Sequence, residues 1–312
     1  MRHMRDEALS KDLDPRRNIY VVGIIPELNF RFVLGRDSSV AAEVAQLQGA
    51  SDRVRVLLGE TMLAAFFLST HSSKSGRDQT VSLHIEYKGL PRRLIAFAAS
   101  DGAMRATVDV PDADWQGALW RDCDGGILRV NRWLEENRRR VYGSVVQMRD
   151  VDLAKNLEEY MGRSDQIQSF IRMDSTDTGD ATQVSGYMFQ AMPDTSADQV
   201  DAVLDMLGGR SASEVLSGIV DGVGGGYSNQ NISVLSHTVR VLKSGNFYTY
   251  CDCNKHKVEK VILMMGAQSA SELLESHGVI EVQCEFCKRH YQFHKPEVDV
   301  LFQSGAGESN AS

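Results

Sequence analysis

Four of the five cysteines of this 312-residue chain stand in two short motifs near its C-terminus. The first motif is Cys251-Asp-Cys253, and the second, Cys284-Glu-Phe-Cys287, follows after thirty residues. Four thiolates brought together by a short intervening fold can surround one tetrahedral zinc ion, which prefers soft sulfur ligands. The same spacing also allows each motif to close into a local disulfide. The pattern therefore predicts a zinc site at these four cysteines and leaves open whether it is a structural element or a redox switch.

Four sulfurs fill a tetrahedral site, so we do not expect a catalytic zinc, which keeps a position for water. The nearby histidines are predicted to be surface residues rather than ligands: His256, His277, His290 and His294. Cys123 stays without a role, because a lone nucleophile needs histidine and acid partners that the sequence does not place. A thiol oxidoreductase using Cys284 and Cys287 is a weaker alternative, because that motif does not lie at a thioredoxin-like strand-to-helix junction. We therefore predict that the chain is not an enzyme.

Composition and charge exclude several classes of partner. The net charge is −8, which argues against general binding to nucleic acid or to anionic membranes. Residues 251–295 contain six basic and six acidic side chains, so a nucleic-acid-binding zinc ribbon is not indicated either. No apolar stretch approaches the ~20 residues of a membrane span, and residues 1–17 lack the apolar core of a secretion signal. We expect the protein to be located in the reducing cytosol, where paired cysteines bind metal more often than they form permanent disulfides.

The elements that must position the cysteines are predicted to form an α+β protein with a largely antiparallel sheet. Alternation over residues 81–87 indicates a strand, and a wide apolar stripe over 54–68 indicates a helix buried against the sheet. A short earlier helix should be capped by Ser38 or Ser39 and carry Val40, Val44 and Leu47 on one face. Capping boxes are predicted at Ser211-Ala-Ser-Glu214 and Ser269-Ala-Ser-Glu272.

These patterns divide the chain into five segments. We predict a flexible arm at 1–17, an N-terminal α+β domain at 18–193, a metastable linker at 194–250, a zinc domain at 251–298 and a disordered tail at 299–312. The linker consists of amphipathic pieces joined by glycine, each too short to be stable alone. A zinc domain of about 48 residues has a small core and often needs a metal or disulfides to fold.

Taken together, these motifs resemble the heat-shock protein 33 (33 kDa chaperonin) family of redox-regulated chaperones. The two cysteine motifs and Tyr291-Gln-Phe293 carry the resemblance. Weaker matches lie upstream: Leu57-Leu-Gly-Glu60, Glu159-Tyr160, Arg163-Ser-Asp-Gln166 and Gly186-Tyr-Met-Phe-Gln-Ala-Met-Pro193. The resemblance covers roughly residues 18 to 298, whereas residues 1–17 and the glycine cluster at 222–226 depart from it.

The resemblance implies a cytoplasmic, ATP-independent holdase that takes part in the stress response. One Zn²⁺ on Cys251, Cys253, Cys284 and Cys287 would keep the reduced protein inactive. Oxidation would form Cys251–Cys253 and Cys284–Cys287 disulfides, release zinc and unfold the linker, so that the N-terminal domain binds unfolding client proteins. Oxidised homodimers are also implied. The alternative from the residues alone is a constitutive zinc-knuckle adaptor that binds a protein or nucleic-acid partner in the reduced state.

Overall fold

The computed structural model describes residues 18–70, 79–89, 91–114, 116, 119–120, 125–134, 140–177, 182–220, 231–234 and 237–308. By its internal contacts the chain divides into two compact units, which meet in sequence between Tyr250 and Cys251. The strands of the first unit are β1 (Ile19–Ile25), β2 (Phe30–Asp37), β3 (Gln79–Glu86), β4 (Arg93–Ala99), β5 (Ala103–Val108), β6 (Ile127–Leu134), β7 (Arg140–Gln147), β8 (Ser169–Asp177), β9 (Thr182–Ala191), β10 (Asn231–Val234), β11 (His237–Asn246) and β12 (Tyr248–Thr249). Its helices are α1 (Val40–Gln48), α2 (Asp52–Thr70), α3 (Leu153–Tyr160), α4 (Ala197–Leu207) and α5 (Ala212–Val220).

The described strands of the first unit form two six-stranded sheets. Their strand orders are β10-β11-β1-β2-β9-β8 for sheet 1 and β12-β5-β4-β3-β6-β7 for sheet 2. Neighbouring strands run antiparallel, apart from the short β12, which runs parallel to β5. The predicted α+β class with antiparallel strands is confirmed, and the strands are shared between two sheets.

Helix α2 packs on strands of both sheets and is buried along most of its length. The glycines opposite it allow this close approach. A Cβ added at Gly35 would lie 2.6 Å from a methyl group of Leu63, and one at Gly186 would lie 2.9 Å from the other methyl of that residue. The prediction of a helix buried against a sheet is therefore confirmed, and burial on all sides explains why its apolar stripe is so wide.

The other face of sheet 1 is covered by α4 and α5, from the segment predicted to be a linker. Aromatic side chains of the sheet meet the two helices in a buried cluster that includes Phe30, Phe32, Leu34, Tyr187, Phe189, Val203, Leu207, Val215, Leu216 and Ile219. The same segment continues into β11, which hydrogen-bonds to β1 along its length. These helices thus bury a layer that would otherwise be an exposed apolar sheet face.

Some of the capping residues predicted at the starts of helices agree with the structure, and others do not. The box at Ser211 and Glu214 is confirmed, because each residue hydrogen-bonds to the backbone N–H of the other. The box at Ser269 is wrong: α7 already begins at Ala267, directly after Gly266, so Ser269 lies inside the helix. Of the two serines predicted to cap α1, Ser39 occupies the N-cap position, but its side chain makes no capping hydrogen bond.

The carboxylate of the buried Asp37 takes the place of those serines at α1. It accepts the backbone N–H groups of Val40 and Ala41, each at 2.9 Å. Leu47, predicted on the apolar face of this helix, is 40% exposed, so the face turns away from the core at its C-terminal end.

The second unit contains α6 (Lys255–Met265), α7 (Ala267–His277), the hairpin of β13 (Val279–Gln283) and β14 (His290–His294), and α8 (Lys295–Glu308). Its core is small and consists of Val258, Ile262, Ala270, Leu274, Ile280, Phe293 and Val298. Helix α8 occupies much of the segment for which the sequence predicts disorder. Val298 joins the core and Leu301 and Phe302 pack against it, which gives this helix an apolar side to bury. No described helix of either unit is long and apolar enough to cross a membrane.

Candidate metal centre

The four cysteines of the two motifs come together at one end of the second unit. Cys251 and Cys253 lie on the extended segment that leads into α6, whose first turn is capped by the side chain of Asn254. Cys284 and Cys287 lie in the tight turn between β13 and β14. In this turn the N–H of Cys284 donates to the carbonyl of Arg289, and the left-handed backbone of Lys288 (φ 57°) reverses the chain.

The sulfur atoms form a compact group. Cys251 Sγ lies 3.7 Å from Cys284 Sγ, and Cys253 Sγ lies 3.3 Å from Cys287 Sγ. All four sulfurs lie within 4.8 Å of one another, and none of the four cysteines forms a disulfide. In the part of the chain that the structure describes, this is the one group of three or more His, Cys, Asp or Glu side chains placed to hold a metal ion.

These distances suit a tetrahedral ion with sulfur ligands. Zinc–sulfur bonds of about 2.3 Å place the corners of a tetrahedron about 3.8 Å apart. The observed separations match this spacing closely enough that the thiols can hold a metal ion with little movement. Because four sulfurs complete the tetrahedron, such a site has no position for a substrate or a water molecule.

The charges of the thiols also favour a cation. Burial opposes ionisation of Cys284, but the N–H groups of Cys287 and Phe286, together with the thiols of Cys251 and Cys287, outweigh it and lower the pKa of that thiol. Burial, together with the neighbouring sulfurs of Cys253 and Cys251, raises the pKa of Cys287 to about 12. Four thiols this close cannot all ionise against one another, so a bound cation is needed to hold all of them as thiolates.

Three of the four histidines near the motifs have ring nitrogens within hydrogen-bonding distance of other groups. His256 Nδ1 lies 3.1 Å from Glu259, and His290 Nε2 lies 2.9 Å from the side-chain amide of Gln283. His277 Nδ1 lies 2.8 Å from the hydroxyl of Ser276. His84 belongs to β3 and contacts Ser82. Cys123, for which no role was predicted, lies outside the described residues.

Sequence reasoning missed the contact of Tyr291 with the sulfur cluster. Its hydroxyl donates a hydrogen bond to Cys253 Sγ at 3.1 Å. The alternation of Tyr291 with Phe293 was the available signal, because it places both residues on the same side of β14. Local patterns cannot show that this side reaches the sulfur of a residue 38 positions earlier.

Comparison of the sequence with models of known protein families shows which family the chain matches. The family model described as Hsp33 protein matches residues 19–294, which is most of the chain. The chain belongs to the Hsp33 family. This places it in a family of chaperones and confirms the resemblance that the cysteine motifs indicated.

The names of similar proteins support this family assignment. The 33 kDa chaperonin of Pelobacter propionicus is 27% identical over 271 residues, covering 84% of this chain and 86% of the relative. The 33 kDa chaperonin of Neisseria meningitidis serogroup B is 27% identical over 258 residues, covering 80% of each protein. None of these names indicates an enzymatic activity.

A solved structure shares the fold. The 33 kDa chaperonin (heat shock protein 33 homolog) of Thermotoga maritima superposes with a TM-score of 0.75 at 20% sequence identity. The match covers 93% of this chain and 99% of the solved one. The fold of both units is therefore that of an Hsp33 protein.

Proposed function

We propose that this protein is a redox-regulated, ATP-independent holdase. The observation that carries the proposal is the cluster of four sulfurs in a small unit with little core of its own. In the reduced protein, Cys251, Cys253, Cys284 and Cys287 would hold one Zn²⁺ as thiolates. The metal supplies folding free energy to the second unit, because a structural zinc site is not preformed in an unfolded chain.

Oxidation by a peroxide would remove the charge that holds the cation. One thiolate attacks the peroxide, so that an S–O bond forms, the O–O bond breaks and hydroxide leaves. A second thiolate then attacks the sulfur of the resulting sulfenic acid, so that an S–S bond forms, the S–O bond breaks and hydroxide leaves. Each disulfide consumes one peroxide, and its neutral sulfurs no longer bind Zn²⁺ as thiolates do.

We propose that the disulfides pair Cys251 with Cys253 and Cys284 with Cys287, as the family resemblance implies. In the structure, sulfurs from different motifs also lie close together, at 3.3 Å and 3.7 Å. Pairs within a motif differ in one respect: they stay within reach after the second unit unfolds, whereas pairs between motifs depend on its fold. Mass spectrometry of the oxidised protein after proteolysis would distinguish the two pairings.

The surface that binds clients would be the face of sheet 1 beneath α4 and α5. These helices have 11 and 9 residues, too few for a stable isolated helix, and depend on the sheet for their stability. Their release would expose the aromatic layer of Phe30, Phe32 and Phe189. An exposed apolar patch of this kind binds the apolar segments of unfolding proteins. We propose that loss of the metal from the second unit destabilises residues 194–250 and frees this face.

Peroxide treatment with mild heating tests the proposal. We expect release of about one Zn²⁺ per chain, as one closed site requires, followed by suppressed aggregation of a thermally unfolding client protein without ATP. Reduction with dithiothreitol in the presence of Zn²⁺ should reverse the suppression. Equal suppression by the reduced, zinc-bound protein would contradict redox control.

We further propose that the protein works in the cytoplasm and forms homodimers when oxidised. The reducing cytosol would keep the thiols ready for zinc, and exposed apolar faces favour self-association. Light scattering before and after oxidation measures the mass of the protein, and a monomer in both states would contradict the dimer.

A further inference from the structure

The hydroxyl of Tyr291 is a hydrogen-bond donor to the sulfur cluster from outside the ligand set. It lies 3.1 Å from Cys253 Sγ. The guanidinium of Arg289 lies near the same oxygen and interacts electrostatically with it. The cation therefore lies beside the phenol whose hydroxyl donates to the sulfur, and it can polarise that O–H group.

The fold holds this phenol in place. Tyr291 lies in β14, where it pairs with Val282 of β13, and its ring packs on the core of the second unit. Phe293, two residues along the same strand, is fully buried and fixes that side of the strand toward the core. The direction of the Tyr291 ring is therefore set by the hairpin.

The sulfurs of the two motifs receive different kinds of donor. The sulfurs of Cys284 and Cys287 lie near backbone N–H groups of their own turn, those of Cys287, Phe286 and Arg289, which favour the ionised thiols. These donors belong to the backbone of the turn, so substitutions of side chains leave them in place. Cys253 lies on the extended segment before α6, and its hydrogen bond from Tyr291 depends on one hydroxyl group.

We propose that Tyr291 is a positioning residue that sets how readily the cluster is oxidised, by withdrawing electron density from Cys253 Sγ. A donated hydrogen bond stabilises the negative charge of a thiolate and makes the sulfur a weaker nucleophile toward peroxide. Outer hydrogen bonds of this kind also strengthen metal binding, and their loss typically weakens it by about 10- to 100-fold. This inference rests on the proposed function, because it concerns the control of the same cluster.

The Tyr291→Phe variant tests the inference, since it removes the hydroxyl and keeps the ring. Full-length protein is loaded with Co²⁺, whose sulfur-to-metal charge-transfer bands report the electron density on the sulfurs. We expect these bands to move to longer wavelength in the variant. In the zinc-loaded protein we expect about tenfold weaker binding of Zn²⁺ and several-fold faster release of zinc by peroxide.

Matched variants separate this effect from general damage. Tyr250→Phe removes a hydroxyl from an exposed tyrosine beside the first motif and should leave bands and rates unchanged. Arg289→Gln should shift the charge-transfer bands and the rate of zinc release in the same direction as Tyr291→Phe, but by a smaller amount. Lys288→Gln, which removes the same charge from the same turn, should have a smaller effect than Arg289→Gln.

Four results would overturn the inference. Unchanged bands with unchanged release would show that the hydroxyl has no effect, and faster release with unchanged bands would assign Tyr291 a structural role alone. Slower release would contradict the proposed direction. A wild-type protein that bound Co²⁺ without four-thiolate bands would overturn the inference together with the proposed metal site, whereas a redox-insensitive chaperone with the expected band shift would contradict the proposed function alone.

Discussion

At the scale of single residues, Glu60 is a carboxyl group buried inside the first unit. It accepts a hydrogen bond from the indole N–H of Trp120 at 2.5 Å. Burial raises its pKa from the ordinary value of 4.5 to about 7, with smaller contributions in the same direction from Asp152 and Asp174. The folded protein therefore holds the proton of Glu60 more tightly than the unfolded chain does.

The sign of the resulting pH dependence follows from this difference. The favourable contribution of Glu60 is fully present below about pH 4.5 and is lost as the pH rises through about 7. A shift of this size corresponds to about 3 kcal/mol of unfolding free energy at higher pH. Asp37, whose pKa burial raises to about 6, adds to the same trend.

Replacement of Glu60 with Gln should remove much of this pH dependence. The amide oxygen can still accept the N–H of Trp120, and no charge has to be buried, so we expect stabilisation of the first unit above pH 7 by up to about 3 kcal/mol. Urea unfolding followed by tryptophan fluorescence at pH 5 and pH 8 measures the difference. The partly exposed Glu86→Gln is the control, and an equal pH dependence in the wild type and the Glu60→Gln variant would contradict the prediction.

At the scale of elements, α4 and α5 are the helices whose stability depends on another surface. Both are amphipathic and end near glycine-rich segments, and their buried sides meet the aromatic face of sheet 1. The strand β11, from the same segment of chain, is hydrogen-bonded to β1 and β10. We therefore expect the two helices to open before β11 leaves its sheet.

Substitution of Leu216 with Ala tests this expectation. Leu216 is fully buried between α5 and sheet 1, and loss of such a side chain typically costs about 2–5 kcal/mol. In the reduced protein we expect amides of α5 to exchange with solvent at least about tenfold faster, and an apolar dye to bind more strongly. Leu204→Ala is the control, because Leu204 of α4 is 46% exposed. Equal exchange in both variants would show that α5 does not depend on this contact.

At the scale of the whole molecule, the two units differ in how they are stabilised. The first has two sheets and an internal helix that together bury a large core. The second buries a handful of apolar side chains and brings four thiols together beside them. A unit of this size is typical of domains that need a metal to remain folded.

Replacement of Cys284 and Cys287 with Ser should therefore unfold the second unit and leave the first folded. The metal contributes about 10–16 kcal/mol to structural zinc sites, far more than the small core can replace. Hydrogen exchange would show loss of protection in residues 251–298, and metal analysis would show loss of bound zinc. Cys123→Ser is the matched cysteine control, and full zinc affinity in the double variant would contradict the ligand assignment.

Much of this protein could be read from its sequence, because several signals are local. The candidate metal site could be predicted because it depends on residue type and spacing alone. Four cysteines in two such motifs are typical of zinc sites. Most strands, the end of α4 at Gly208 and the box at Ser211 also follow from short-range rules. The predicted start of α7 was wrong, because the chain becomes helical again directly after Gly266. The serine pattern does not reveal this early start.

The tertiary structure alone decided which distant residues meet. Two sheets enclose α2, Trp120 reaches Glu60, and the hydroxyl of Tyr291 reaches Cys253, although 60 and 38 positions separate these two pairs. Such contacts depend on how strands pair and how layers pack, which no local propensity encodes. The sequence by itself determined which residues can hold a metal, and the fold determined which hydrogen bonds surround their sulfurs.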